Sequence, residues 1–207
     1  MRQAGIREQS MKQLALILAA GFSKRFGPED KLLADLGGTP VIQHVAYAAQ
    51  RLELDDVAVV LRSQQVAGNI PKLSKIWLDE KAPVLSDSLR AGAEYAMARQ
   101  FDQVLVLLGD MPFVSTKTMQ SVIDLQQGTP SAATNGIRAL PPACFPRSSL
   151  PELAALTGDQ GGRTLLQRIG TKGLYRAPKA ELVDIDTPSN LKQALRNLAH
   201  LQSPKGG

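Results

Sequence analysis

Cysteine, histidine and aromatic side chains are all scarce in this chain. Among 207 residues there is 1 cysteine, Cys144, and there are 2 histidines, His44 and His200. A single cysteine excludes an internal disulfide framework and any cysteine-cluster zinc site, and two histidines exclude a multi-histidine metal centre. Aromatic residues are only 4% of the sequence, and no Lys/Arg-rich block occurs. Neither a stacking platform nor a basic reading helix for nucleic acid is therefore expected. No apolar run approaches the roughly 20 residues that a membrane span needs. The opening MRQAGIREQS is polar and the apolar stretch after it is cut by Gly21, unlike a secretory signal peptide. A cytoplasmic protein with no membrane or nucleic-acid partner is the expectation.

What is present is an ordinary globular balance, with 43% hydrophobic and 21% charged residues. That is enough apolar surface for one cored domain of this length. The formal charge of +5 favours anionic partners, of which a small phosphorylated ligand is the economical choice.

Short apolar runs alternate with segments of helical period. Strands are expected at Gln13–Ala19, Asp56–Leu61, Lys75–Leu78 and Gln103–Leu108, with short ones at 131–134 and 143–145 and a last one at Leu182–Ile185. Helices are expected at Pro40–Leu52, over the Leu85–Leu89–Ala93–Met97 stripe, at Ser115–Gln127, and near 150–157 and 162–169. A final helix enters through Thr187 as cap and Pro188 in its first turn, with Leu191, Ala194, Leu195 and Leu198 facing inward. This alternation predicts an α/β fold, a three-layer α/β/α sandwich around a mostly parallel, Rossmann-like sheet. Residues 13–201 are expected to form one domain, with flexible tails at 1–12 and 202–207. Sheets of this kind bind ligands beyond the carboxyl ends of their strands.

At the carboxyl end of the first strand stands Leu18-Ala19-Ala20-Gly21-Phe22-Ser23-Lys24-Arg25-Phe26-Gly27, followed by Pro28-Glu29-Asp30-Lys31. Small residues let backbone N–H groups approach a phosphate, and Arg25 and Lys31 add charge-assisted contacts. The order is that of neither a P-loop nor a Rossmann glycine motif. A plain turn at Gly21 and Gly27, with solvated cations, is the alternative. Asp110, just past a buried strand, is a candidate ligand for a hard cation such as Mg²⁺.

The LAAGFSKRFG loop with a lysine soon after resembles the signature loop of nucleotidyltransferases of GT-A-like fold, and most closely the molybdenum cofactor cytidylyltransferase family. SDSLRAG (Ser86 to Gly92), LLGDMP (Leu107 to Pro112), PACFPRS (Pro142 to Ser148), GDQGGRTLL (Gly158 to Leu166) and DIDTPSNL (Asp184 to Leu191) follow in the same order. The resemblance implies Mg²⁺-dependent transfer of a nucleoside monophosphate to a phosphorylated acceptor, with release of pyrophosphate. It implies nucleotide contacts from Leu18, Ala19, Ala20, Gly21, Ser23, Ser88, Gly92 and Gly109. Arg25 and Lys31 would neutralise the triphosphate and, with Asp110, form the catalytic set. Asp110 would hold the metal with a second carboxylate from Asp184 or Asp186; Asp186, nearer the carboxyl end, is chosen. Asp159 and Arg163 would face the acceptor. Ala20, where the guanylyltransferase branch usually has glycine, and Phe26 tilt the base from GTP to CTP.

The partners implied are CTP, a pterin-type phosphate (molybdopterin) and a molybdoenzyme that receives the product. GTP, another small phosphate acceptor, or a non-catalytic nucleotide-binding or delivery role are the alternatives. A phosphate acceptor, with a second pKa of about 6, needs no strong base, which suits a chain without a motif histidine. His44 is expected to be half-buried in a helix, and Cys144 to be a small buried hydrophobe. Three features depart from the family pattern. The Gly27-to-Lys31 spacing is one residue long, Val84 stands at a common glycine position beside Asp87, and Leu140-Pro141-Pro142 replaces Gly-His-Pro on the acceptor side.

Overall fold

The computed structural model describes residues 11–202 except 24, 28, 71, 80–83, 159 and 160. Seven strands form one sheet: β1 (Gln13–Leu18), β2 (Asp56–Leu61), β3 (Ser74–Trp77), β4 (Gln103–Leu108), β5 (Ser131–Thr134), β6 (Ala139–Pro146) and β7 (Leu174–Arg176), in the order β3-β2-β1-β4-β6-β5-β7. Every pairing is parallel except those of β6, which runs antiparallel to β4 and β5. The helices are α1 (Val41–Gln50), α2 (Gln64–Gly68), α3 (Leu85–Ala98), α4 (Thr116–Leu125), α5 (Leu150–Ala154), α6 (Gly161–Gln167) and α7 (Pro188–Gln202).

Alternation along the central strands sorts the core into two layers. Ala15 and Ile17 of β1, Val57 and Val59 of β2, and Leu105 and Leu107 of β4 pack against α1, α2 and α4. Leu14, Leu16, Ala58, Val60, Val104 and Val106 point the other way, against α3, α5 and α6. The fold is thus the expected three-layer α/β/α sandwich. Gly92 lets α3 approach β1, since a Cβ there would lie 2.1 Å from Leu16 Cδ2. No helix among the described residues is long and apolar enough to cross a membrane.

The structure corrects several expectations. Leu182–Ile185 is not a strand: a 3-10 turn at Lys179–Leu182 leads into an extended segment whose Ile185 N–H donates to the Asp110 carbonyl at 2.9 Å. Ile185 is buried instead in a small cluster with Leu36, Val41 and Ala194. The strand that completes the sheet is β7, too short and too exposed to show an apolar run. β6 is longer than expected despite its prolines. Its register with β5 passes from Ala132↔Ala143 to Ala133↔Leu140, so Pro141 and Pro142 fall in the irregularity, where no ladder N–H is needed. Leu195 is exposed rather than inward-facing, and Leu85 stands exposed at the start of its stripe. Lys12, placed in the tail by sequence, donates from its backbone N–H to Asp102 at 2.8 Å, and its ammonium lies 4.6 Å from the Phe101 ring centroid. The tail residues 1–10 and 203–207 lie outside the described residues.

Candidate active site

The parallel register sets Leu18 beside Leu108, so the loop after β1 and the Gly109–Asp110 turn after β4 leave the sheet side by side. Gly109 N–H donates to the Leu18 carbonyl at 3.0 Å. A Cβ on Gly109 would lie 3.2 Å from that oxygen and 2.8 Å from Ile42 Cδ1, so glycine permits the close approach. Ala19 and Ala20 are buried at the base of the loop, and Gly21 and Phe22 are exposed beyond them.

Ser23 closes the loop. Its hydroxyl donates to Asp30 at 3.2 Å and accepts from Lys31 N–H at 3.1 Å, while Asp30 caps the 3-10 turn Lys31–Leu33 by accepting from Leu32 N–H. Phe26 packs against the Ile185 cluster. These contacts aim Lys31 inward despite the longer Gly27-to-Lys31 spacing.

Lys31 Nζ lies 2.6 Å from Asp110 Oδ2 and 2.6 Å from Asp186 Oδ1, and Arg25 Nη2 lies 2.7 Å from Asp186 Oδ2. The Lys31, Asp110 and Asp186 side chains are 12%, 19% and 22% exposed, whereas Arg25 is open to solvent. Phe22, Ser23, Arg25, Lys31 and Asp186 line one cleft of about 220 Å³. Cations from the glycine loop and acids from two other segments thus meet in one place. Asp184 lies beside them, its carboxyl within hydrogen-bond reach of that of Asp186, and it also lines a larger apolar cavity.

The charges tune one another. Burial alone would lower the Lys31 ammonium, but the charge and hydrogen bond of Asp110, helped by Asp186, leave it raised. Burial would push the Asp186 carboxyl up, but Lys31 and Arg25 outweigh it and hold it below the ordinary 3.8. Partial burial and the carboxylates of Asp186 and Asp110 push Asp184 up. A depressed carboxyl adds stability above its ordinary pKa and loses it as pH falls through the lowered value. In chelator-treated buffer, the unfolding midpoint of wild type should therefore exceed that of Asp186→Asn by a constant margin near neutrality. That margin should shrink on acidification below about pH 4. A margin that grows in acid would contradict the pairing.

Two basic side chains that no motif marked complete the surroundings. Arg62, just beyond β2, donates from Nε to the Ala20 carbonyl at 3.0 Å and lies 3.8 Å above the Phe22 ring. It clamps the loop in its present form. Arg62→Ala should raise the KM for the phosphate ligand this loop is expected to bind about tenfold with a smaller effect on kcat, for loss of one hydrogen bond and one cation–π contact. Steady-state kinetics separate the two, and an unchanged KM would show the loop holding itself. The other, Arg138, lies on the wall of the apolar cavity together with Arg163.

The remaining expected residues sit as follows. Ser88 is buried in the first turns of α3, near the fully buried Ser86, whose Oγ has no partner among the described residues. Gly92 lies under Leu16, in the contact of helix with sheet rather than in the cleft. Asp87 accepts from Val84 N–H and pairs with Arg90 at 2.8 Å, which gives the departure at Val84 and Asp87 a capping role for α3. Asp159 lies outside the described residues. His44 Nε2 lies 3.1 Å from the Leu36 carbonyl, a structural contact. Cys144 is buried, its thiol pushed up to about 12 by burial, so it is no nucleophile at neutral pH.

Among the described residues no three His, Cys, Asp or Glu side chains form a metal cage. Asp110 and Asp186, each 2.6 Å from the same nitrogen, still offer two convergent hard-oxygen donors. That fits Mg²⁺, which takes one or two carboxylates and fills its shell with substrate phosphates and water.

The seven-stranded sheet with its strand order has the GT-A-like fold of nucleotidyltransferases. Among solved structures, a homologue of Mycobacterium tuberculosis Rv0371c from Mycobacterium sp. strain JC1 superposes with a TM-score of 0.76 at 25% identity, covering 92% of this chain and 98% of that one. Rv0371c of M. tuberculosis H37Rv, crystallised as a complex with manganese, shares the fold with a TM-score of 0.69 at 23% identity, covering 90% of this chain and 99% of that one. The purine catabolism protein PucB of Bacillus subtilis is 26% identical over 200 residues, 90% of this chain and 97% of PucB. The family model for the MobA-like NTP transferase domain matches residues 15–173. The chain belongs to the MobA-like NTP transferase family.

Proposed function

We propose that residues 13–201 form a single cytoplasmic nucleotidyltransferase domain that moves CMP from CTP to a phosphorylated acceptor with Mg²⁺. The observation that carries this reading is Lys31 held by Asp110 and Asp186 at 2.6 Å each, with Arg25 on the same Asp186. In this reading an acceptor phosphate oxygen attacks the α-phosphorus of CTP. The bond from that phosphorus to the α–β bridging oxygen breaks, and pyrophosphate leaves with the electron pair.

Arg25 and Lys31 bind the triphosphate and balance the charge that gathers on the departing pyrophosphate. The exposed amides after Ala20 lie against its phosphates. Asp110 and Asp186 would hold Mg²⁺, which when bound neutralises phosphate charge. Ser23 and Arg62 keep the loop in shape. Ser88 and Gly109 border the nucleotide, Gly92 supports that border from beneath, and Arg163 and Asp159 serve the acceptor. The manganese in the Rv0371c structure supports a divalent ion in this fold. CTP rather than GTP rests on Ala20 and Phe26.

The motif resemblance alone would point to a pterin phosphate as acceptor and a molybdoenzyme as recipient of its product, but the acceptor side is where this chain departs from that pattern. Leu140-Pro141-Pro142 stands where many members have Gly-His-Pro, so the lining of the neighbouring cavity bears on the acceptor's body. The test is pyrophosphate release with Mg²⁺, each nucleoside triphosphate in turn and a panel of phosphorylated acceptors. CTP-selective release is expected. Saturable nucleotide binding with no release for any acceptor would point instead to a delivery protein.

A further inference from the structure

We propose that the acceptor of this chain is an organic phosphate with an apolar body, seated in the cavity between α3, β4, β6 and α6, with its phosphate gripped by Arg138 and Arg163. The inference deepens the nucleotidyl-transfer reading and relies on it for the role of that phosphate as the attacking group.

The cavity measures about 280 Å³. Its wall is built from Leu85, Leu108, Leu140, Phe145 and Leu166 with other aliphatic residues. Among the described residues, only Arg138, Arg163, Gln167 and Asp184 bring a polar side chain to it. Leu85 is 41% exposed on a helix stripe that otherwise turns inward. An apolar occupant of the cavity would cover it.

Charge complementarity names the other end of the occupant. Arg138 and Arg163 are both exposed, on different elements, and neither guanidinium has an acidic partner among the described residues. Two forked cations facing one cavity match a phosphate through paired hydrogen bonds. The cavity also reaches the reacting cleft. Leu18, where the glycine loop starts, lines it, and so does Asp184, two residues before Asp186. A phosphate at the arginines therefore lies on the acceptor side of the acid–cation cluster.

The body is where this chain parts from the family pattern. A pterin carries hydrogen-bonding groups around its edges, and each one buried without a partner costs about 1–3 kcal/mol. Leu140 and Pro141 offer aliphatic surface at the position where a histidine would offer a ring nitrogen, and proline has no N–H to donate. A small aromatic or branched aliphatic body suits such a wall.

Calorimetric titration tests this with four probes: phenyl phosphate, glycerol phosphate, inorganic phosphate and a pterin phosphate. Phenyl phosphate should bind about tenfold more tightly than glycerol phosphate, from burial of its ring. Arg138→Gln combined with Arg163→Gln should weaken phenyl phosphate about tenfold or more. Leu166→Gln should erase the preference for phenyl over glycerol phosphate, and Leu85→Gln, at an exposed position, should reduce it without threatening the fold. Equal binding of phenyl and glycerol phosphate would overturn the proposal, as would tighter binding of the pterin phosphate. Titration of Mg²⁺–CTP into the same protein keeps the two readings apart. Phenyl phosphate binding without CTP binding would support the cavity assignment and reject nucleotidyl transfer.

Discussion

Asp110→Asn is expected to lower pyrophosphate release about a thousandfold, with little change in the unfolding midpoint. The position of this side chain is set by backbone bonds that the substitution spares: Gly109 N–H to the Leu18 carbonyl at 3.0 Å and Ile185 N–H to the Asp110 carbonyl at 2.9 Å. Asparagine keeps the shape and removes the charge. Lys31 retains its second partner, Asp186, at 2.6 Å, so no buried ammonium is left unpaired. Stability is therefore spared. In the proposed mechanism the transition state would lose a carboxylate on the divalent ion and part of the field that aims Lys31. A loss of that kind amounts to about 4 kcal/mol of barrier. Titration of Mn²⁺ with CTP gives a second readout that needs no acceptor, and its affinity should fall at least tenfold. A variant that keeps a tenth of the wild-type rate would remove Asp110 from the chemistry.

The Lys31→Met variant is expected to move two properties in opposite directions. Methionine has similar length and no charge, so the carboxylates of Asp110 and Asp186 face each other without the cation that now lies 2.6 Å from both. Their repulsion makes any other cation more welcome, and the affinity for bare Mn²⁺ should rise about tenfold. Transfer should fall by about two to three orders of magnitude, because in the proposed mechanism Lys31 is an ammonium on the triphosphate. The unfolding midpoint without metal should drop and be restored by Mg²⁺, since a ligand that binds only the folded state stabilises it. A fall in both metal affinity and rate, without recovery of the midpoint, would make Lys31 a structural support only.

The parts of the fold that could be read from sequence are those in which local pattern and tertiary burial agree. The expected bounds of β2 and β4 match the observed ones because each is a continuous buried run closed by turn residues. β7 gave no such signal, being three residues long and only half-buried. The apolar Val183 and Ile185 suggested a strand where the chain in fact runs beside the sheet, with Ile185 buried against Leu36 and Val41 rather than in a ladder.

The candidate site divides in the same way. Arg25, Lys31, Asp110 and Asp186 lie in recognisable segments, and the structure gathers them although they are far apart in the chain. Arg62 and Arg138 were invisible because each is a single cation in an unremarkable stretch. Their placement follows from sheet order, which sets the end of β2 beside that of β1 and β6 beside β4. Gly92 fits a family motif, yet its local demand is the Leu16 side chain across the helix–sheet contact.

Crystals grown with Mn²⁺ and a non-hydrolysable CTP analogue offer the most direct measurement. An anomalous peak bound by the Asp110 and Asp186 carboxylates is expected, with the triphosphate against Arg25 and Lys31. A manganese peak bound elsewhere, or a triphosphate seated away from these four side chains, would contradict the proposed mechanism.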